Sequence, residues 1–188
     1  MGHDPITGAV ADIALRLHGF LTPTQLGRCV ETVRRWFTGA MWEKALAHTG
    51  GQLTLNEYTA LRMDSGAGAA WFALCEIGRA GGEVPAAKMD APAVRALREM
   101  CWVIVGWDNY IFSHAKERWL AAHSSLPVDD APNLVTLLAE QEGLGLSDAL
   151  GEAVALRNRV MSAFIRLRAQ VLPGAGEPLR AFFTESGT

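Results

Sequence analysis

The sequence predicts an all-α fold, a bundle of antiparallel helices. Apolar residues recur at three- and four-residue spacing along most of the 188 residues, and capping residues precede several of these segments. No segment has the strict alternation of a half-buried strand, and the chain has no internal repeat. A chain of this length suits one core, so we expect a single helical domain over residues 1–188.

Local capping signals place the helix starts. Thr22 suits an N-cap and Pro23 suits a first turn, Thr54 and Glu57 have the capping-box spacing, and Ser147 is the expected cap of a late helix. The expected helices cover about 5–17, 23–47, 55–63, 69–79, 90–122, 133–142 and 148–171, with a last short helix after residue 178.

Composition narrows the classes of function. The net charge of −3 provides no general basic surface for nucleic acid. Cys29, Cys75 and Cys101 are odd in number, form no Cys-x-x-Cys pair and lie in apolar helical patterns, so we expect buried free thiols. The chain shows neither a signal peptide pattern nor an apolar run long enough for a membrane span, and we expect a cytoplasmic protein.

Three oxygen-bearing side chains recur at four-residue spacing in the expected helix over 90–122. Asn109, Ser113 and Glu117 fall on one face of three successive turns. Amide, hydroxyl and carboxylate oxygens are hard ligands that suit Mg²⁺, and Lys116 adds a mobile cation near any bound phosphate. The alternative is a polar stripe that faces water.

Residues 109–117 have the sequence Asn-Tyr-Ile-Phe-Ser-His-Ala-Lys-Glu, which resembles the metal-binding motif of class I terpene synthases, Asn-Asp-(Leu/Ile/Val)-x-Ser-x-x-Lys-Glu. The resemblance implies that Asn109, Ser113 and Glu117 hold one Mg²⁺. Tyr110 stands where the family usually has Asp. That Asp is not generally a ligand, so the departure puts only a supporting role in doubt.

Upstream, residues 57–66 resemble the family's helix break, Tyr-x-x-x-Arg-x-x-(Asp/Ser/Thr)-Gly. Carried over by position, Arg62 is the sensor of the substrate diphosphate, Ser65 the linker and Gly66 the effector, whose carbonyl faces the developing cation. Asn109 follows Arg62 by 47 positions, close to the family's usual separation. Arg grips phosphate oxygens bidentately, and a Gly in a broken helix can turn its carbonyl into a cavity.

A purely structural explanation of the same residues is also open. In it, Arg62 pairs with a nearby carboxylate such as Asp64 or Glu57, and Gly66 and Gly68 only allow helices to approach closely.

The resemblance implies an activity. It is the Mg²⁺-assisted loss of diphosphate from a linear prenyl diphosphate, of farnesyl or geranyl type, followed by carbocation cyclisation. Arg62 and Lys116 would hold the diphosphate. Trp71 and Phe72 follow the helix break and are candidates for lining the cavity or facing the cation, although aromatic residues at helical spacing usually form core.

The resemblance extends over nearly the whole chain, but only to the middle and later part of the family fold. Residues 34–43 are similar to a family helix that bears aromatic residues before a Trp-Glu pair, and residues 132–135 to a later helix start. The family's Asp-rich motif, which binds further Mg²⁺, and its late Arg-Tyr pair have no counterpart. Asp129 and Asp130 form the only acidic doublet of that type, in an expected loop over 124–132.

These gaps leave several explanations. The chain is a fragment of a longer synthase, a subunit completed by a partner chain or a homodimer, or a decayed relative that binds prenyl diphosphates without cyclising them. The alternative functions are a non-catalytic prenyl-diphosphate binder or regulatory protein, and a plain helical scaffold. An incomplete bundle would expose apolar surface, and the candidates are Trp36, Phe37, Trp71, Phe72 and Trp107.

Overall fold

A computed structural model describes residues 4–78, 83–123 and 133–185. Its helices are α1 (Pro5–His18), α2 (Pro23–Thr49), α3 (Leu55–Ser65), α4 (Gly68–Ile77), α5 (Ala86–Met89), α6 (Pro92–His123), α7 (Leu134–Glu142), α8 (Leu146–Val171) and α9 (Glu177–Glu185), with a 3-10 turn at Leu172–Gly174. These ranges contain no strand, which confirms the all-α prediction. Within them, no helix is both long and apolar enough to cross a membrane.

The predicted N-caps of α2 and α3 are confirmed. Thr22 accepts a hydrogen bond from the backbone of Gln25, whose side chain in turn accepts from the Thr22 N–H, so the two residues form a capping box. Thr54 and Glu57 are joined in the same way at the start of α3. Each box satisfies N–H groups that have no partner within the helix, which explains why these two starts could be predicted.

Other boundaries differ from the prediction. Helix α8 begins after Gly145 rather than after Ser147, because the N–H of Ala149 already donates to the Gly145 carbonyl at 2.9 Å. The short helix α5 was not predicted, since four residues are too few to show a helical period. The expected end of the fourth helix at Arg79 and the loop over 124–132, with its acidic doublet, lie outside the described residues.

Two apolar clusters pack along opposite ends of α6. One lies beneath the C-terminal half of α6 and contains Tyr58 and Leu61 of α3 together with residues of α7 and α8. The other lies beneath its N-terminal half and joins Phe72 of α4 to Phe182 of α9. Helix α6 packs along α8, and α7 turns back onto α8 through Gly143, whose φ is +63°. Helices α6 and α8 therefore both contribute residues to the two clusters.

The predicted exposure of aromatic residues is only partly right. Trp36, Phe37 and Trp71 are exposed, but Phe72 and Trp107 are buried in the two clusters. The prediction of buried thiols is also only partly right. Cys29 is buried, whereas Cys75 and Cys101 are half-buried, and none of these three thiols forms a disulfide bond in the described residues.

Helices α2 and α3 cross with their backbones in contact at Gly39. A Cβ atom on Gly39 would lie 2.4 Å from the backbone nitrogen of Ser65 and 2.8 Å from the carbonyl carbon of Asp64. Backbone atoms at the end of a helix cannot move away as a flexible side chain can. The absence of a side chain at Gly39 therefore sets how close the end of α3 lies to α2.

We expect Gly39→Ala to destabilise the protein by about 2–3 kcal/mol or more, because the new methyl group must push two helix backbones apart. Urea unfolding followed by circular dichroism measures this loss. The matched control is Gly151→Ala, at an exposed position of α8 where an added methyl group would have no atom within 4 Å. That change should stabilise the protein by about 0.5–1 kcal/mol, as alanine does in exposed helices. Equal effects of the two substitutions would contradict the close crossing.

Candidate functional site

The predicted helix break lies between α3 and α4, and Trp102 of α6 packs across it. Ala67 has a left-handed φ of +60°, and the Trp102 indole N–H donates to the Arg62 carbonyl at 3.3 Å. A Cβ atom on Gly68 would fall 1.6 Å from the Trp102 ring, and one on Gly66 would fall 2.9 Å from it. Both glycines are therefore required for close approach, as the structural explanation expected. The effector role of Gly66 remains a prediction.

Arg62 and Ser65, the predicted sensor and linker, share one acceptor. The Arg62 guanidinium forms an ion pair with Glu43 of α2, and the Ser65 hydroxyl donates to the same Glu43 Oε1 at 2.7 Å. The structural explanation is right that Arg62 pairs with a carboxylate, but the partner is neither of its examples, Asp64 and Glu57. The actual partner comes from another helix, so only the three-dimensional packing reveals it.

Asp64 and Glu57 have other partners. Asp64 accepts from the Nε of Arg35 at 2.8 Å and from its Nη2 at 2.5 Å, and Glu57 belongs to the capping box of α3. Because both carboxylates accept hydrogen bonds from these other groups, neither is the partner of Arg62.

Arg62 retains donor capacity within the site. Its guanidinium carbon lies 4.5 Å from the ring centre of Tyr110, and its Nε is buried with no hydrogen-bond partner. Burial lowers the pKa of Arg62 to about 10, so the group is still charged at neutral pH. Tyr110, which departs from the family motif, is buried in the core directly against this cation.

A cavity of about 210 Å³ opens in front of Arg62. It is lined by Arg62, Gly66, Trp102, Val105, Gly106, Asn109 and Tyr110. The structure thus brings together the predicted sensor, the predicted effector and the first predicted metal ligand. This arrangement places a charged side chain and an amide side chain in the lining of one concave space.

The other two predicted ligands form a hydrogen-bonded group next along α6. The Ser113 hydroxyl donates to Glu117 Oε1 at 2.5 Å, and the side-chain amide of Asn133 donates to Glu117 Oε2 at 2.8 Å. Asn109 is exposed and makes no hydrogen bond within the described residues. Lys116 is exposed on the same helix.

Asn133 is a functional candidate that the sequence indicated only as a helix start. It is 8% exposed, and its Oδ1 accepts from the Val135 N–H at 2.9 Å to cap α7. Its amide N–H also reaches the Tyr110 carbonyl at 3.4 Å. The same side chain therefore caps α7 and orients the Glu117 carboxylate.

The residues present fit a Mg²⁺ ion. Asn109, Ser113 and Glu117 offer an amide, a hydroxyl and a carboxylate oxygen, and two of these groups already converge at 2.5 Å. No group of three or more His, Cys, Asp or Glu side chains suited to a metal occurs in the described part of the chain. Softer transition metals prefer thiolate or imidazole ligands, so the oxygen donors of Asn109, Ser113 and Glu117 favour a hard ion.

The two predicted aromatic candidates lie apart from this cavity. Trp71 is 65% exposed, and Phe72 is 5% exposed, with its ring centre 6.0 Å from that of Phe182. Neither lines the cavity in front of Arg62.

The broken helix with its buried Arg, beside an Asn/Ser/Glu triad on a long neighbouring helix, defines a class I terpene synthase fold. Residues 1–163 match the family model described as "Terpene synthase family 2, C-terminal metal binding", and the chain belongs to this family.

Curated relatives support the assignment. The chain is 35% identical to spiroviolene synthase from Streptomyces violens, over 95% of the chain and 48% of that protein. It is 32% identical to phomopsene synthase from Allokutzneria albata, over 95% of the chain and 47% of that protein. The chain therefore spans about half the length of these relatives.

Solved structures show the same fold. The ancestral-sequence protein SVS_A2 matches with a TM-score of 0.83 and 33% identity, covering 98% of this chain and 53% of that one. The 2-methylisoborneol synthase of Streptomyces coelicolor, solved with Mg²⁺ and 2-fluorogeranyl diphosphate, has a TM-score of 0.76. It is 24% identical, over 89% of this chain and 51% of that one.

We expect Glu43→Gln to destabilise the protein by about 2–3 kcal/mol, because it leaves the Arg62 charge uncompensated in a largely buried position. Denaturant unfolding at neutral pH provides the measurement. Glu152→Gln is the control, since the Glu152–Arg159 pair is largely exposed and should contribute no more than about 0.5 kcal/mol. A loss of similar size in both variants would show that the Arg62–Glu43 pair is not a buried contact.

Proposed function

We propose that this chain forms the Mg²⁺-dependent diphosphate-binding part of a class I terpene synthase that acts on a linear prenyl diphosphate of farnesyl or geranyl type. The observation that carries this proposal is the cavity shared by Arg62 and Asn109. Arg62 lines this cavity, and a phosphate oxygen is an acceptor that a guanidinium group prefers.

Each site residue has a role in this proposal. Asn109, Ser113 and Glu117 hold one Mg²⁺, which when bound stabilises negative charge on the departing diphosphate. Arg62 holds the diphosphate through its guanidinium, which Glu43 fixes in place. Lys116 adds a screened positive charge from the exposed face of α6.

Glu43 links the diphosphate contact to the helix break. A movement of Arg62 toward an anion would weaken its contact with Glu43, which also accepts from Ser65. Ser65 immediately precedes Gly66, whose backbone lines the cavity. This route supports the roles of Ser65 as linker and Gly66 as effector, the latter presenting its carbonyl dipole to positive charge in the cavity.

We further propose that ionisation and cyclisation need surfaces from outside the residues described. Glu117 is the one carboxylate of the predicted ligand set, and the cavity in front of Arg62 is open to solvent on one side. Further acidic ligands and apolar walls, from the rest of a longer chain, a partner chain or a homodimer, would complete the site and exclude water. Trp71 is 65% exposed, and such an assembly would bury it. We place the assembled protein in the cytoplasm.

A thermal-shift titration tests the binding step. We expect Mg²⁺ and inorganic diphosphate together to raise the Tm, by about 5–10 °C at a hundredfold excess over the Kd, whereas each alone should have little effect. Glu117→Gln should abolish this rise and leave the Tm without ligand nearly unchanged, because glutamine can still accept the Asn133 hydrogen bond.

Glu140→Gln, at an exposed position of α7, is the matched control and should retain the full rise. An unchanged Tm of the unsubstituted protein with both ligands would contradict a diphosphate site in this chain. A rise without turnover of farnesyl or geranyl diphosphate would favour the alternative of a non-catalytic prenyl-diphosphate binder.

Substitutions of Asn133 separate its two roles. Asn133→Ser should retain the cap of α7 but is too short to reach Glu117, whereas Asn133→Ala loses both contacts. We expect the alanine variant to be less stable than the serine variant by about 1 kcal/mol. Both should bind Mg²⁺ with diphosphate roughly tenfold more weakly, as loss of an orienting hydrogen bond at a ligand does. Wild-type affinity in Asn133→Ser would reduce Asn133 to a structural cap.

A further inference from the structure

A second cavity lies on the other side of Trp102 from the Arg62 cavity. Its volume is about 100 Å³, and Trp102 lines both spaces. The lining residues of α6 are Arg95, Arg98, Glu99 and Trp102, which share one face of the N-terminal end of the helix. The proposed diphosphate site uses none of these arginines.

The charge in this cavity is unbalanced. Arg35, which also lines it, is neutralised by Asp64, and the nearby Arg28 is neutralised by Glu76. Among the lining groups, this leaves two further arginines, Arg95 and Arg98, against the single carboxylate of Glu99. Asp90, which does not line the cavity, adds a second carboxylate whose charge acts on Arg98, but forms no ion pair with it in the described residues.

Arg98 is the most informative of these side chains. Its Nε is buried, and within the described residues its guanidinium makes neither a hydrogen bond nor an ion pair. Burial and the neighbouring Arg28 both lower the pKa of Arg98. A buried cationic donor without an acceptor is costly, and a native structure normally satisfies it with an anion or ordered water.

The volume and the lining of the cavity limit the size and charge of the ligand that it can hold. Because one water molecule occupies about 30 Å³, the space holds about three waters, or one ion of phosphate or carboxylate size. Phe72 and Trp102 form apolar walls, which exclude water and strengthen charge–charge attraction on that side.

We propose that this cavity is a binding site for a small oxyanion, held by the guanidinium of Arg98 and by the charge of Arg95, and separate from the diphosphate site in front of Arg62. The anion gives Arg98 an acceptor that no described residue provides. Its binding requires no metal, because the site contains cationic donors and no metal-ligand set.

Titration with inorganic phosphate in the absence of Mg²⁺, at constant ionic strength, tests this site. We expect a saturable rise in Tm and a shift of one arginine Nε–H signal in the ¹⁵N-correlated NMR spectrum. Arg98→Gln should remove that signal and weaken phosphate binding at least tenfold. Arg98→Lys retains the charge without the Nε–H and should bind with intermediate affinity.

Three controls separate this site from others. Arg62→Gln and Glu117→Gln, in the diphosphate site, should retain the phosphate response, as should Arg159→Gln on the surface of α8. A parallel titration with acetate distinguishes the source of the oxyanion. A response to phosphate alone indicates a phosphate ligand, and equal responses indicate a carboxylate-sized anion.

The proposal is overturned by a response that does not saturate, or by one that Arg98→Gln leaves unchanged while circular dichroism shows the variant to be folded. Loss of the phosphate response in Arg62→Gln would also overturn it, because the anion would then occupy the diphosphate site. Failure of the Mg²⁺-dependent diphosphate response has no bearing on this result, since the two titrations use different ligands and different variants.

Discussion

The ion pair between Arg62 and Glu43 is the contact on which the rest of the site depends. Arg62 enters from α3 into a position closed by α2 and by the Tyr110 ring, where an uncompensated guanidinium would be strongly unfavourable. Glu43 can reach it because Gly39, one turn earlier on α2, lets the two helix backbones touch at Ser65. The crossing of α2 and α3 and the position of the charge are therefore set together.

Two members of the proposed metal-ligand triad, Ser113 and Glu117, are held by a second set of contacts. Glu117 is fixed between Ser113 on its own helix and Asn133 at the start of α7, and α7 is itself anchored in the core by Leu134 and Val135. Tyr110 joins the two sets, since its ring contacts Arg62 and its carbonyl accepts from Asn133. Tyr110, which departs from the family motif, thus contacts both the Arg62 guanidinium and the Asn133 side chain that orients Glu117.

Features governed by local chemistry could be predicted from the sequence, and features governed by packing could not. The caps at Thr22 and Thr54 and the break before Gly68 depend on a few neighbouring residues, and the structure confirms them. Glu43 could not be identified as the partner of Arg62, because the choice among three nearby carboxylates depends on how α2 crosses α3. Trp107 was expected at the surface for the same reason, since its burial depends on α7 and α8.

The charges within the site explain why its anion affinity should depend on metal. Arg62 is already neutralised by Glu43, so the pair offers a directed N–H group but little net positive charge. Glu117 adds a negative charge beside it, which opposes a diphosphate until a cation intervenes. A divalent ion at the triad reverses that sign, and the directed donor then gains a ligand it can hold. In the proposed site, recognition by Arg62 and attraction by the metal would thus be separate functions, and binding would require both.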